Sequence, residues 1–181
     1  MIDKIKEKGN DIFISDLCLL KRPHLIKLGN HVAIDQFVTI TTQADIGDYV
    51  HIATGCSIIG GENSKVIMMD HSGMAAGARV IASGSDFNSG YLTNPQVPEQ
   101  YRRELPDTTV VFEKYSCLGT NAVVLPGITL GEGSIIGANS VVTKNTEPWT
   151  IYVGSPARAI KKREIGSIID FAKILKELDG E

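Results

Sequence analysis

Long apolar runs are missing from this sequence. No uninterrupted stretch approaches membrane-spanning length, so membrane insertion is not expected. A strong charge of one sign is missing too. The formal net charge is −3 and the pI about 5.8, which excludes the basic field that nucleic acid or an anionic membrane attracts. Cysteine is scarce and odd in number. Cys18, Cys56 and Cys117 stand in no metal-ligand spacing, so structural thiols are expected rather than a disulfide framework or a zinc site. The charged start Met1-Ile2-Asp3-Lys4-Ile5-Lys6-Glu7-Lys8 has no apolar stretch of signal-peptide length behind it. These absences leave a cytoplasmic protein of 181 residues, enough for one domain with a substantial core.

What is present is a repeat. Aliphatic residues fall at Leu28, Ile34, Ile40, Ile46, Ile52 and Ile58, six apart. They continue at Met68, Met74 and Val80, and again at Leu118, Val124, Leu130, Ile136 and Val142. Four places after most of them stands a small or β-branched residue, among them Val32, Val38, Ala44, Val50, Cys56, Ala78, Ala122, Ser134 and Ser140. This period fits neither an amphipathic helix nor a long alternating strand. It fits very short strands separated by corners, with one large and one small inward residue per side. Three such sides close a coil of about 18 residues, and coils stack at about 4.8 Å. The second place of the hexad is often glycine (Gly29, Gly47, Gly119, Gly131, Gly137), commonly followed by Asn or Asp, residues that tolerate corner conformations.

Two interruptions break the pattern. Residues 60–65 add four residues to one side as a bulging turn. Residues 85–109 form a true excursion, polar and rich in proline. A loop this long in a compact domain is usually functional or disordered, and because solenoid insertions gather on the binding face a functional arm is expected. Ile168, Ile169, Phe171, Ala172, Ile174, Leu175 and Leu178 recur at helical spacing. The tail is therefore expected to be an amphipathic helix that caps the open end of the stack or packs on a neighbouring subunit. The expected organisation is a solenoid domain over 1–163 carrying loop 85–109, then a helical segment over 164–181.

The pattern of aliphatic, glycine-like, any, any, small, any resembles the hexapeptide-repeat acyltransferases over roughly residues 12–163. That resemblance implies an all-β, left-handed parallel β-helix with acetyl-CoA as co-substrate. It also implies a homotrimer with active sites between subunits. Val141-Val142-Thr143-Lys144, Pro148 and Val153-Gly154-Ser155-Pro156-Ala157-Arg158-Ala159-Ile160-Lys161 look like the closing signature of the galactoside, maltose and xenobiotic acetyltransferase branch. Carried over position by position, the resemblance implies that Thr120 and Ala138 line the pantetheine arm. Thr143 would lie near the adenine end, with Arg158 and Lys161 near the nucleotide phosphates, where fixed cations are wanted.

Transfer to a hydroxyl or amine also needs a group to take the acceptor's proton. That branch has a histidine at the loop root. Here the matching position is Asp86, a departure from the pattern. A second resemblance, to enzymes acting on bacterial surface polysaccharides, rests on residues 51–61, Ser85-Asp86-Phe87, residues 92–95 and Tyr101-Arg102. It makes His51 the first choice of base, with Asp86 as its partner on the same side of the solenoid. His71 is the second choice. Ser85, Asn94, Tyr101 and Arg102 are the expected acceptor contacts. Cys117 offers a covalent acyl route, disfavoured because the family transfers directly from the thioester. Trp149 is expected under the last coil.

The reading that follows is an acetyl-CoA-dependent O-acetyltransferase acting on a sugar hydroxyl in surface polysaccharide or lipopolysaccharide assembly. No metal is required for its chemistry. The acceptor is a small sugar or nucleotide sugar, with no nucleic-acid partner. The nearest alternative is an N-acetyltransferase of an amino-deoxy nucleotide sugar. A non-catalytic scaffold is the alternative of another class. A zinc anhydrase on the same solenoid would show two histidines five apart, and His24, His31, His51 and His71 contain no such pair.

Overall fold

In a computed structural model, residues 4–180 are described. Met1, Ile2 and Asp3 of the charged start and Glu181 of the tail lie outside them. The chain winds as a parallel β-solenoid of about seven turns. Its first face holds six strands, from Glu7–Lys8 to Thr129–Leu130. The second holds eight, from Phe13–Ile14 to the final pair Thr150–Val153 and Arg158–Lys162. The third holds six, from Leu19–Leu20 to Val141–Val142.

The six-residue step becomes three columns inside the prism. Leu28, Ile46, Met68, Phe112 and Leu130 stack in register beneath the first face. Ile34, Ile52, Met74, Leu118 and Ile136 stack beneath the second. Ile40, Ile58, Val80, Val124 and Val142 stack beneath the third. All are buried, and burying each such side chain is worth about 1.5–3 kcal/mol. The small residues four places on are buried at the corners between columns.

The corner chemistry differs from expectation. Gly47 and Gly119 do not supply the left-handed turn. A Cβ on Gly119 would lie 2.4 Å from the Ile136 carbonyl oxygen, and one on Gly47 would lie 2.9 Å from the Asp70 nitrogen. These glycines allow one coil to sit directly on the next. The left-handed φ falls instead on His31, Tyr49, His71, Tyr115 and Trp149, at the corner between the first and second faces. A non-glycine residue there costs of order 1–3 kcal/mol. The rings recover part of this by stacking in one ladder, with successive centroids 4.5, 5.0, 5.4 and 5.9 Å apart. Trp149 thus closes a corner ladder, its ring against Gly133, rather than sitting under the last coil.

The C-terminal helix, Ile168–Leu178, covers this ladder. Ile169 and Ala172 face Tyr49, His71 and Tyr115 across a small cavity. Arg163 leads into the helix, donating to the carbonyls of Tyr115 and Gly133 at 2.9 Å each, with its guanidinium 5.5 Å over the Trp149 ring. At the far end Asp179 accepts from the Tyr49 hydroxyl and lies 3.2 Å from His31 Nε2. The helix therefore runs along a corner of its own solenoid; it does not cap the open end.

Both interruptions leave from the corner between the third and first faces. The turn at 60–65 joins Ser57–Ile59 to Lys65–Met68, and the excursion joins Arg79–Ile81 to Thr109–Phe112. The excursion doubles back on itself through backbone bonds from Asp86 to Arg103, Leu92 to Tyr101 and Leu105 to Gly84.

Candidate functional site

Asp86 stands at the root of this arm. Its carboxylate accepts the Asn88 N–H at 2.9 Å and lies 3.9 Å from Arg103 Nε. Hydrogen bonds from the Asn88 N–H first and then from Ser89, with the Arg103 charge a smaller influence, hold its pKa below the ordinary carboxylate value. It is an anion at neutral pH. Ser85 and Asn94 serve the arm itself. The Ser85 hydroxyl donates to the Thr93 carbonyl at 3.0 Å, and the Asn94 side-chain oxygen accepts the Gln96 N–H at 2.9 Å. Tyr101 is exposed, while Arg102 pairs with Glu104 and keeps its Nε buried without a partner.

His51 is not on Asp86's side, contrary to the stacking count. It precedes the inward Ile52 of the second face, one corner beyond Ile46 of the first. The left-handed turn at Tyr49 carries it around that corner. Within one chain the two are not brought together. The partner of His51 is Asp35, one coil away, with Nε2 to Oδ2 at 3.0 Å. Sequence reasoning missed Asp35. The available signal was its place directly after the inward Ile34 on the same face. His71, the second choice of base, is half-buried between two tyrosine rings beneath the helix, and burial pushes its pKa down. Cys117 faces outward between Gly73 and Ile135. Burial raises its pKa, so the thiolate a covalent route requires is scarce.

The expected coenzyme contacts gather near the C-terminal end of the stack. Thr120 and Ala138 are exposed at the corner between the second and third faces in successive coils, where the Asn139 N–H donates to the Thr120 carbonyl at 2.9 Å. Thr143 is exposed just past Val141–Val142. Beside it opens a cleft of about 270 Å³ lined by Lys144, Asn145, Tyr152, Ala157 and Arg158. The Tyr152 hydroxyl accepts the Glu147 N–H at 2.9 Å, fixing the ring in place. Two cations and a held aromatic ring at one end of a narrow edge suit a nucleotide with phosphates. Lys161 lies further along Arg158–Lys162, opposite Ile151, outside this cleft. Lys144 takes its place there, although it was visible in the closing signature.

Residues 109–144 match the bacterial transferase hexapeptide family (six repeats). A dTDP-4-amino-4,6-dideoxy-D-glucose acyltransferase of Escherichia coli is 35% identical over 87% of this chain and 82% of its own length. WbbJ of Escherichia coli K12, named as a lipopolysaccharide biosynthesis O-acetyl transferase, is 34% identical over 69% of this chain and 60% of its own. Among solved structures, AntD, an N-acyltransferase from Bacillus cereus in complex with dTDP and 3-hydroxybutyryl-CoA, superposes with a TM-score of 0.91. It is 30% identical, covering 98% of this chain and 93% of that one.

Proposed function

This chain belongs to the bacterial hexapeptide-repeat transferases, and from that premise we propose that it acylates the amine of a 4-amino-4,6-dideoxy sugar carried on dTDP. It is an acyltransferase whose co-substrate is an acyl-coenzyme A. The observation that carries the choice of acceptor is the match to AntD along nearly the whole of both chains. The hydroxyl acceptor favoured by the sequence has its own support in WbbJ, over a shorter span.

In this reading Thr120 and Ala138 flank the pantetheine arm. Thr143, Lys144 and Arg158 receive the nucleotide end, and Lys161 adds positive charge from outside the cleft. The acceptor lies under the 85–109 arm against Tyr101 and Arg102, while Ser85 and Asn94 hold the arm's shape. The acceptor's lone pair attacks the thioester carbonyl, the carbon–sulfur bond breaks, and the acceptor's proton must be taken up. Asp86, ionised at neutral pH, holds the amine at the loop root. His51 takes the proton, supplied from the second face of a neighbouring copy in a homotrimer. The exposed apolar residues Phe13 (57%), Leu17 (62%), Leu19 (57%) and Phe37 (64%) around the corner between the second and third faces support such an assembly. The reaction belongs in the cytoplasm, where the thioester donor is made.

The test incubates the protein with acetyl-CoA and either dTDP-4-amino-4,6-dideoxyglucose or a nucleotide sugar without an amine, following release of free thiol. Thiol release with the amino sugar and a product stable to mild alkali, as an amide is, are expected. Release only with the hydroxyl acceptor, giving an alkali-labile ester, would transfer the assignment to O-acylation. Release with neither would remove both acceptors.

A further inference from the structure

We propose that Asp35 is a positioning residue for His51, and that the two side chains act as one proton-accepting unit. The inference rests on His51 being the base of the transfer.

Asp35 is fixed before its side chain is considered. Its N–H donates to the Ile52 carbonyl at 3.0 Å, and its own carbonyl accepts from the Cys18 thiol at 2.9 Å. From that anchored backbone, Oδ2 lies 3.0 Å from His51 Nε2. An ionised carboxylate can only accept, so the ring proton belongs on Nε2, and Nδ1 presents its lone pair. Nothing tall stands beside the ring in the ladder. Its register partners are Ala33 on one side and Gly73 on the other. A Cβ on Gly73 would already lie 3.3 Å from the His51 carbonyl oxygen. The His51 side chain is accordingly 58% exposed.

His31 and His71 are unsuited to the task. His31 has a carboxylate at each ring nitrogen, leaving neither free to accept a proton. His71 is stacked beneath the helix. Of these three, His51 combines a carboxylate on one nitrogen with open space at the other. In the transfer, the proton leaving the acceptor passes to Nδ1 as the new bond to the acyl carbon forms. The imidazolium is stabilised by Asp35 and then returns the proton to the departing thiolate. Acceptor and acyl-CoA become acylated acceptor and free thiol, with the histidine restored.

The experiment compares Asp35→Asn, Asp35→Glu and His51→Ala with the parent protein, using acetyl-CoA and whichever acceptor supports turnover. Asp35→Asn should lower kcat about tenfold or more, leave KM for acetyl-CoA unchanged, and move the acid limb of the kcat profile to lower pH. Asp35→Glu should recover that limb, which mere structural damage would not allow. If His51→Ala abolishes turnover while Asp35→Asn changes neither kcat nor the profile, Asp35 has no positioning role. If His51→Ala turns over normally, the underlying assignment of the base fails instead. Should Asp35→Asn unfold, Asp35→Glu decides the matter: a folded variant whose acid limb is lost overturns the proposal.

Discussion

Arg158 shows what a single side chain contributes when its neighbours are counted. Among the described residues its guanidinium donates to the carbonyl of the preceding Ala157, at 3.0 Å, and keeps most of its donors for a ligand. Lys144 shares the same cleft. A charge-assisted bond to phosphate is worth about 1.5–3 kcal/mol, and about 1.4 kcal/mol is tenfold in affinity. Arg158→Ala should therefore weaken acetyl-CoA binding by about tenfold, measured by titration calorimetry, with the melting temperature of the free protein unchanged. Lys144→Ala should act in the same direction. Lys161→Ala, outside the cleft, should cost less, and equal losses at all three would argue for a diffuse basic field rather than a defined phosphate site. Arg158 was legible in the sequence because a motif surrounds it. Asp35 was not, because its partner lies sixteen residues away and only the coil length places them together.

The element least legible in advance is the C-terminal helix. Its apolar spacing announced a buried face but not the surface that would receive it. The receiving surface had a signal of its own: His31, Tyr49, His71 and Tyr115 each stand three places after an inward residue of the first face. The far end of the helix is held by a contact whose protonation can be reasoned out. His31 Nδ1 lies 2.8 Å from Asp11 and Nε2 lies 3.2 Å from Asp179. A neutral imidazole has one N–H, so only the imidazolium satisfies both carboxylates. Its pKa is raised above 6.5, chiefly by the bond to Asp11 and then by Asp179. A raised folded-state pKa gives stability that is fully present below the unfolded value and is lost as pH climbs through the folded one. His71, pushed down by burial, acts in the opposite sense, so the two must be separated. Hydrogen exchange of residues 168–178 in the parent and in His31→Gln should do so. The parent's helix should be better protected at acid pH, with the difference fading at alkaline pH. A difference independent of pH would mean that His31 holds the helix by packing alone.

At the scale of the whole molecule, the inward columns were legible because six-residue spacing is itself the geometry of one side of the prism. Their in-register burial follows from it. The hand of winding came only from resemblance, since spacing does not carry chirality. The side on which His51 falls was misjudged for a related reason: a corner displaces a residue by a whole face, and the count passed the turn at Tyr49 without taking it. That displacement bears directly on assembly. Asp86 leaves the corner between the third and first faces while His51 rises from the second, so a site using both draws them from two copies. If each site pairs His51 of one copy with Asp86 of the next, a random mixture of His51→Ala and Asp86→Asn subunits regenerates intact sites where an Asp86→Asn copy supplies His51 and a His51→Ala copy supplies Asp86. In a cyclic homotrimer about one site in four meets that condition. Two separately inactive variants, unfolded together and refolded, should therefore recover about a quarter of the parent turnover. Variants refolded apart and then mixed should recover none until subunits exchange. If the co-refolded mixture stays as inactive as its components, the two residues do not meet across an interface.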